Sequence, residues 1–425
     1  MKNFLLLNKS EILEEYSKLL EVYEDFKRKN IKLDMSRGKP GISQLDLSLG
    51  LLDAVNSKSD FVVRGGIDVR NYGACDGLEE IKDLISEVTG VNKDYFIVGG
   101  NSSLNMMFDA ISFFMIHGSC GCEPWCKQKK IKFLCPSPGY DRHFRITEYF
   151  GMELVMIPMN SDGPDMDMIE QIVNKDASIK GIWCVPKYSN PGGITYSDEV
   201  VKRFANLKPV APDFKIFWDN AYFAHDLTPN TVPLLDIVEE CVKLNKQEMP
   251  ILFYSTSKIT FPGSGIAFMA CMGRNLENFK KMYSVKTVGF DKINQLRHVK
   301  FLKDKVTFFN HMKKHREILK PKFDTILNCL NLEFGKNPIL TWNIPQGGYF
   351  ISVNTVSGCA KRTVQLCKEA GVNLTDAGAS FPYGKDPEDS NIRLAPTFPS
   401  LNELECAIQL FCVCVKLAFL EKNLD

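Results

Sequence analysis

The sequence predicts an α/β protein with a large domain, whose mostly parallel central sheet is covered by helices, and a smaller α+β domain. Short apolar segments alternate with helical patterns between residues 95 and 258. Glycine and polar residues follow these segments, as they do where ligands bind beyond the carboxyl ends of parallel strands. After residue 300 the pattern changes to a long basic helix and three more strands. We therefore expect an N-terminal helix and arm at 1–45, a large cofactor-binding domain at 46–300 and a small domain at 301–425.

The composition indicates an ordinary globular protein and excludes two classes of partner. Of the 425 residues, 44% are apolar and 24% charged, and 52 basic side chains face 51 acidic ones. The net charge of +1 gives no long-range field that would attract nucleic acid or an anionic membrane. No stretch approaches the roughly 20 apolar residues of a membrane span, and no secretory signal pattern is present. Fourteen cysteines scattered through apolar segments predict reduced thiols, and hence a cytoplasmic protein.

A group of three cysteines raises the question of zinc. Cys120, Cys122 and Cys126 follow shortly after His117. Their spacing matches no usual ligand pattern, and no second cysteine pair follows. We therefore predict no metal site.

The first elements are a helix and a loop. Residues 11–30 have helical apolar spacing and end in three basic residues, which favour a helix C-terminus. We expect this helix to pack with the small domain. Residues 35–41 contain two glycines and a proline and predict an irregular loop.

The next element suggests a site for one phosphate group. Residues 95–98 predict a buried strand that enters a turn at 99–104 rich in glycine and hydroxyl residues, and a helix follows. Backbone N–H groups at such a helix N-terminus bind anions. The turn lacks the lysine of a P-loop and the spacing of a dinucleotide fingerprint.

Four later strands each lead to a polar residue at the same edge of the sheet, whereas a further strand at 154–158 does not. These strands and residues are 132–135 with Tyr140, 181–185 with Asn190, 215–218 with Asp219 and 251–254 with Lys258. Because parallel strands end at one edge, we expect the four side chains to lie close together.

Lys258 lies in a turn of small residues, 255–265, where its amine is not crowded. A desolvated lysine has a lowered pKa and can form a Schiff base with an aldehyde. Pyridoxal phosphate offers that aldehyde, a phosphate for the glycine turn and a ring nitrogen that needs an acid partner such as Asp219. Asn190 and Tyr222 can hydrogen-bond the ring oxygen. Each residue alone also has an ordinary structural interpretation, but their joint order favours the cofactor.

These motifs resemble the fold-type I pyridoxal-phosphate aminotransferases of class I. The matching motifs are Asn190-Pro191-Gly192-Gly193, Asp219-x-x-Tyr222, Ser255-x-Ser257-Lys258 and Arg393. Seven segments are similar, more narrowly, to a divergent aspartate aminotransferase subgroup: 35–40, 99–104, 138–144, 183–193, 218–225, 255–265 and 291–298. The likeness covers nearly the whole chain, and it implies a homodimer whose active sites straddle the subunit interface.

The resemblance implies roles around the cofactor ring. Lys258 would hold pyridoxal phosphate as an aldimine and then move a proton between Cα of the substrate and the cofactor. Asp219 would pair with the protonated ring nitrogen, and Asn190 and Tyr222 would bind the ring oxygen. Tyr140 would stack on the ring.

The resemblance also implies roles at the two ends of the site. The phosphate cup would consist of Gly100, Asn101, Ser102, Ser255 and Ser257. Tyr72 would reach the phosphate from the neighbouring subunit. Arg393 would clamp the substrate α-carboxylate in a bidentate pair, with Gly38 beside it.

One position departs from the family pattern. Most class I members place an arginine shortly after the lysine to neutralise the phosphate, and the matching position here is Gly265. Losing a charge-assisted pair weakens phosphate binding unless another group compensates. The narrower subgroup shares the small residue, so we do not interpret the change as inactivation.

The resemblance implies an aspartate aminotransferase that transfers the amino group of L-aspartate to 2-oxoglutarate by a ping-pong mechanism. A dicarboxylic substrate needs a second cation, for which we expect Arg297 or Lys292, with Arg37 and Arg142 as alternatives. The alternative functions are those of an aminotransferase for neutral or aromatic amino acids, a Cα/Cβ lyase, or a non-catalytic regulator that binds pyridoxal phosphate. A regulator of this fold carries an added DNA-binding domain, for which the chain has neither spare length nor basic charge.

Overall fold

A computed structural model describes residues 3–424 of the chain, with fourteen α-helices and fifteen strands in that range. The helices are α1 Lys9–Arg28, α2 Ile42–Asp46, α3 Gly50–Asp53, α4 Glu79–Thr89, α5 Ser103–His117, α6 Asp141–Tyr149, α7 Met166–Val173, α8 Asp198–Asn206, α9 Ile237–Lys243, α10 Gly273–Lys286, α11 Lys292–Leu302, α12 Lys305–Phe334, α13 Ala360–Glu369 and α14 Leu401–Leu424. The strands are β1 Leu33–Asp34, β2 Val62–Val63, β3 Ile67–Asp68, β4 Phe96–Val98, β5 Lys132–Ser137, β6 Glu153–Asn160, β7 Gly163–Pro164, β8 Ile179–Cys184, β9 Lys215–Asp219, β10 Pro250–Ser255, β11 Ala267–Ala270, β12 Leu340–Trp342, β13 Ile351–Thr355, β14 Val372–Asn373 and β15 Asn391–Leu394.

An eight-stranded mixed sheet organises the α/β fold, as the sequence predicts. Its strand order is β4-β11-β10-β9-β8-β5-β6-β7, and the five strands from β10 to β6 run parallel. All six strands predicted between residues 95 and 258 occur within one or two residues of their expected bounds. The carboxyl ends of β5, β8, β9 and β10 therefore meet at one edge, which is where the polar residues follow.

Strand β11, which runs antiparallel between β10 and β4, is not among the strands predicted from the sequence. Its four residues, Ala-Phe-Met-Ala, follow directly on the small-residue turn after Lys258. Because this turn folds back along β10, Gly99 donates its N–H to Ala267 (2.8 Å) and Ala267 donates to Gly100 (2.7 Å). The return strand thereby joins the glycine turn to the lysine turn.

Both faces of the sheet are covered. Along β9, Ile216 and Trp218 pack into one apolar cluster, whereas Phe217 packs into a second cluster on the opposite face. All three side chains are almost completely buried. This arrangement explains why the strand reads as a continuous apolar run.

A three-stranded antiparallel sheet, β12-β13-β15, packs with long helices in the C-terminal part of the chain. The start of the long basic helix expected directly after residue 300 is wrong, because α11 continues to Leu302 and α12 begins at Lys305. Lys303 has a positive φ of 58°. The Asp304 side chain then caps α12 by accepting from the Thr307 N–H (2.7 Å).

Helix α1 packs against α14, and the ring of Phe4, which precedes α1, lies 6.4 Å from the ring of Phe419 in α14. The Tyr23 hydroxyl also donates to the carbonyl of Leu366 (2.9 Å) in α13. The domain boundaries at 45/46 and 300/301 stay a prediction. Among residues 3–424, no helix has the length and apolarity to cross a membrane.

Candidate active site

Lys258 lies at the junction of two cavities, beyond the carboxyl end of β10. One cavity has a volume of about 540 Å³ and the other about 250 Å³, and both are lined by Tyr140, Asn190, Tyr222 and Lys258. The ammonium group lies 4.9 Å from the ring centre of Tyr222. Burial lowers the pKa of Lys258, and the nearby charge of Asp219 partly opposes that effect. A lysine in this setting is a better base and nucleophile than one in water.

Asp219 ends β9 and turns its carboxylate toward the smaller cavity. Its Oδ2 lies 2.9 Å from His143 Nε2, and its Oδ1 is buried without a hydrogen-bond partner among the described residues. A buried carboxylate oxygen without a partner is costly. The site therefore fits a ligand with a positively charged N–H group at that point.

His143 and Trp183 support Asp219, and both were missed as functional residues in the sequence. The two rings are stacked, with centres 4.5 Å apart and planes 13° apart. His143 lies in the first turn of α6, which begins directly after Tyr140. Its place at the start of a helix that follows a strand end is the signal that could have identified it.

The glycine turn and the N-terminus of α5 line the smaller cavity. Asn101 and Ser102 are among the lining residues, together with Ser255 and Ser257. Ser257 Oγ donates to the carbonyl of Asn101 (3.1 Å), so the two turns are held together. Gly100 does not line the cavity, but its carbonyl accepts from Ala267 in β11. Free N–H groups at the start of this helix suit a phosphate.

The structure gives a physical reason for Gly265. A Cβ atom at this position would lie 3.2 Å from both Cα and N of Ser257 and 3.2 Å from Thr256 Oγ1. Such contacts are tighter than side chains normally make, so an arginine would press on the turn that carries Lys258. Within residues 3–424, Lys258 is the one cationic side chain that lines the smaller cavity.

Arg393 lies in the larger cavity with its guanidinium group almost completely buried. Its Nη1 donates to Asn190 Oδ1 and to Asp141 Oδ1, each at 3.2 Å. The guanidinium carbon lies 4.9 Å from the ring centre of Phe350. A Cβ atom on Gly38 would approach the same ring to 2.4 Å, so this position requires glycine. The pocket fits a planar anion such as a carboxylate.

Besides Gly100, three predicted site residues do not line either cavity of their own chain. Tyr72 is 80% exposed, Lys292 is buried in α11 and Arg297 is half-buried in the same helix. In contrast, Arg37 and Arg142 both line the larger cavity. The predicted residues that the chain does bring together at the two cavities are Gly38, Asn101, Ser102, Tyr140, Asn190, Asp219, Tyr222, Ser255, Ser257, Lys258 and Arg393.

Comparisons with known proteins show similarity over nearly the whole chain. The sequence family described as aspartate amino-transferase matches residues 7–425. A putative aminotransferase of Mycolicibacterium smegmatis is 44% identical over 421 residues, which are 99% of this chain and 98% of that protein. An aspartate aminotransferase of Corynebacterium glutamicum is 42% identical over 94% of this chain and 92% of that protein. A crystal structure of an aspartate transaminase from C. glutamicum superimposes with a TM-score of 0.95 at 41% identity, covering 98% of both chains.

Proposed function

Because this chain belongs to the aspartate aminotransferase family and is an aminotransferase of fold type I, we propose that it transfers the amino group of L-aspartate to 2-oxoglutarate reversibly, in a ping-pong mechanism. The observation that carries the proposal is the shared cavity in which the amine of Lys258 and the unpartnered oxygen of Asp219 lie at neighbouring strand ends. Fold-type I aminotransferases use pyridoxal phosphate.

The residues present fit pyridoxal phosphate. Asp219 Oδ1 lacks a donor, which a protonated pyridine nitrogen would supply. Asn190 and Tyr222 would bind the ring oxygen and Tyr140 would stack on the ring. The phosphate would be held by the cup of Gly100, Asn101, Ser102, Ser255 and Ser257. When bound, the cofactor supplies an electron sink that stabilises negative charge at the substrate Cα.

Lys258 would move the proton at Cα of the substrate. Its burial favours the neutral amine, which can accept a proton at a pH where an exposed lysine is charged. The rings of Tyr222 and Tyr349, whose centres lie 4.9 and 5.9 Å from the amine, shield it from water. The same side chain then returns a proton in the second half of the transfer.

Arg393 would orient the substrate by its α-carboxylate. The guanidinium group is held by Asn190, Asp141 and the Phe350 ring, so its donors are already directed before substrate binds. A bidentate pair at this point fixes the direction of the Cα–H bond toward Lys258.

A second cation would read the distal carboxylate. The lining of the larger cavity favours Arg142 or Arg37 within one subunit, whereas Arg297 and Lys292 would have to act across a subunit interface. We therefore propose replacing each of the four by glutamine and measuring kcat/KM for L-aspartate and L-alanine. Replacing the residue that binds the distal carboxylate will reduce the preference for aspartate over alanine. An unchanged preference in all four variants would contradict the assignment.

We propose a cytoplasmic homodimer in which Tyr72 reaches the partner's phosphate site. Tyr72 is 80% exposed, and the nearby Val288 is 58% exposed and linked to the same loop by a hydrogen bond from Gly73 (3.1 Å). Mixing the inactive variants Tyr72→Ala and Lys258→Ala tests this arrangement, because a hybrid dimer regains one complete site. No regained activity would place Tyr72 outside the neighbouring site.

The central test is a single half-reaction. The purified protein, saturated with pyridoxal phosphate, should show a visible absorption band, and L-aspartate alone should release about one equivalent of oxaloacetate per subunit. Faster release of phenylpyruvate from phenylalanine, or of pyruvate from alanine, would instead indicate an aminotransferase for aromatic or neutral amino acids. No band, and no cofactor attached to Lys258 after borohydride reduction, would be contrary to the proposal.

A further inference from the structure

The carbonyl of Ile259, the residue after Lys258, accepts hydrogen bonds from two buried histidines of α12. His311 Nε2 lies 2.7 Å from this oxygen and His315 Nε2 lies 3.0 Å from it. The carbonyl can only accept, so both histidines carry their proton on Nε2, and the 3.1 Å contact between those two nitrogens is then a contact of two donors and not a hydrogen bond. Burial lowers the pKa of His311 and lowers that of His315 to about 4, so both rings are neutral near pH 7. The backbone that follows Lys258 is therefore hydrogen-bonded to a helix that lies more than fifty residues later in the sequence.

Gln44 connects these groups to the N-terminal loop. Its Oε1 accepts from the Gly41 N–H (3.2 Å), which fixes the orientation of the amide because a backbone N–H can only donate. Its Nε2 then donates to His315 Nδ1 (3.2 Å) and to the Tyr349 hydroxyl (2.9 Å). The Tyr349 hydroxyl in turn donates to the carbonyl of Lys258 (3.4 Å). Apart from the contact between the two histidine Nε2 atoms, the donors and acceptors agree in direction.

The hydrogen-bonded chain links the two sides of the active site. Gln44 is fully buried in α2, five residues after Lys39, the last residue of the loop segment 36–39 that lines the larger cavity. At the other end, the carbonyls of Lys258 and Ile259 belong to the turn that carries the lysine amine. Gln44, His311 and His315 have no other role in the proposed reaction.

We propose that Gln44, His311, His315 and Tyr349 form a positioning relay, a hydrogen-bonded chain that fixes the position of the Lys258 turn relative to the loop 36–39. The relay acts through the backbone and touches neither substrate nor cofactor. Its effect on catalysis rests on the proposed aminotransferase function, but its effect on the turn does not. Loss of the Gln44 amide leaves His315 Nδ1 and the Tyr349 hydroxyl without their donor. The loop 36–39 and the Lys258 turn should then both become more mobile.

Amide hydrogen exchange of the purified protein, without added cofactor, tests the relay directly. The variant Gln44→Leu removes both donors, and Gln44→Glu keeps the shape and the contact with Gly41 but cannot donate to His315 when ionised. We expect exchange to become about five-fold faster, the effect of losing one ordinary hydrogen bond, in peptides covering residues 35–43 and 256–262 together. The matched control is Asn275→Leu in α10, which removes a buried amide that donates to the carbonyl of Glu248 (2.7 Å).

A second measurement uses bound pyridoxal phosphate. Displacing the Lys258 turn changes the surroundings of the amine, so the pH midpoint of the visible band should shift by about half a unit in both Gln44 variants. kcat for L-aspartate should fall about ten-fold with little change in KM. A merely structural role would lower the melting temperature and leave the pH midpoint unchanged.

The outcomes separate the two proposals. Exchange in 256–262 that is unchanged in the Gln44 variants, or raised equally by Asn275→Leu, overturns the relay. Faster exchange confined to the Gln44 variants supports it, even if the wild-type protein shows no cofactor band. The absence of that band overturns the proposed function alone.

Discussion

His143 Nε2 lies 2.9 Å from Asp219 Oδ2, while Oδ1 of the same carboxylate is buried without a partner among residues 3–424. The imidazole is held in place by the stacked ring of Trp183. His143 thus holds one oxygen of the carboxylate, and the other oxygen is available to a ligand. This arrangement suits a carboxylate that pairs with a cationic ring nitrogen, as we propose for Asp219.

Removing the imidazole should impair catalysis through Asp219. In His143→Leu both carboxylate oxygens lack a protein partner, so the carboxylate is no longer oriented for its proposed pairing with the cofactor ring. We expect kcat for L-aspartate to fall by about 10- to 100-fold, the effect of losing one hydrogen bond to a charged group. The variant His143→Gln can still donate and should keep most of the activity. Equal losses in both variants would show that ring stacking, not the hydrogen bond, is what matters.

Much of this arrangement was accessible from the sequence because it depends on local patterns. Apolar strands followed by polar residues predicted that Lys258, Asp219 and Asn190 would share one edge of a sheet, and in the structure they line one cavity. The pairing of His143 with Asp219 joins residues 76 positions apart and leaves no periodic signal. The same holds for Gln44 and His315, which are 271 positions apart. Contacts between side chains of separate elements depend on packing angles that a pattern of apolar residues does not define.

Stability should fall as the pH drops from about 7 to 5, because several histidines are buried in neutral form. Burial lowers the pKa of His225 to about 3 and those of His298 and His315 to about 4. In the unfolded chain these groups bind protons near pH 6.5, so below that pH the unfolded state takes up protons that the native state does not. The contribution of the three histidines to the free energy of unfolding is fully present above about pH 6.5 and is lost toward pH 4. The slope is at most about 4 kcal/mol per pH unit for the three histidines together.

Urea unfolding at several pH values measures this effect, and the variant His298→Gln provides its control. The ring of His298 accepts from Thr260 Oγ1 (2.9 Å) and donates to the carbonyl of Asn294 (2.9 Å), which glutamine can also do. Removing this one titrating group should reduce the slope of unfolding free energy against pH by about a third. A slope that is flat between pH 7 and 5 in the wild-type protein would contradict the neutral state of the buried rings.

Gly38→Ala should weaken substrate binding and spare the cofactor. The new Cβ would lie 2.4 Å from the Phe350 ring, which must move, and that ring packs against the guanidinium group of Arg393. We expect KM for L-aspartate to rise about ten-fold, because a displaced arginine loses the geometry of a bidentate pair. Gly50→Ala is the matched control, since its Cβ would make only ordinary contact with Phe301 at 3.5 Å. A weakened affinity for pyridoxal phosphate in Gly38→Ala would instead place this glycine on the cofactor side.

Gly265→Ala should weaken cofactor binding, although it adds a single methyl group. Its Cβ would press at 3.2 Å on the backbone of Ser257, which belongs to the proposed phosphate cup and precedes Lys258. Overpacking of this kind costs about 1–3 kcal/mol, which would raise the dissociation constant of pyridoxal phosphate by about 5- to 150-fold if all of it is lost from cofactor binding. Gly263→Ala in the same turn is the control, because no atom lies within 4 Å of its added Cβ. Tighter cofactor binding in Gly265→Arg than in the wild-type protein would contradict this account, since it would mean that the turn can accommodate the arginine that most class I aminotransferases carry.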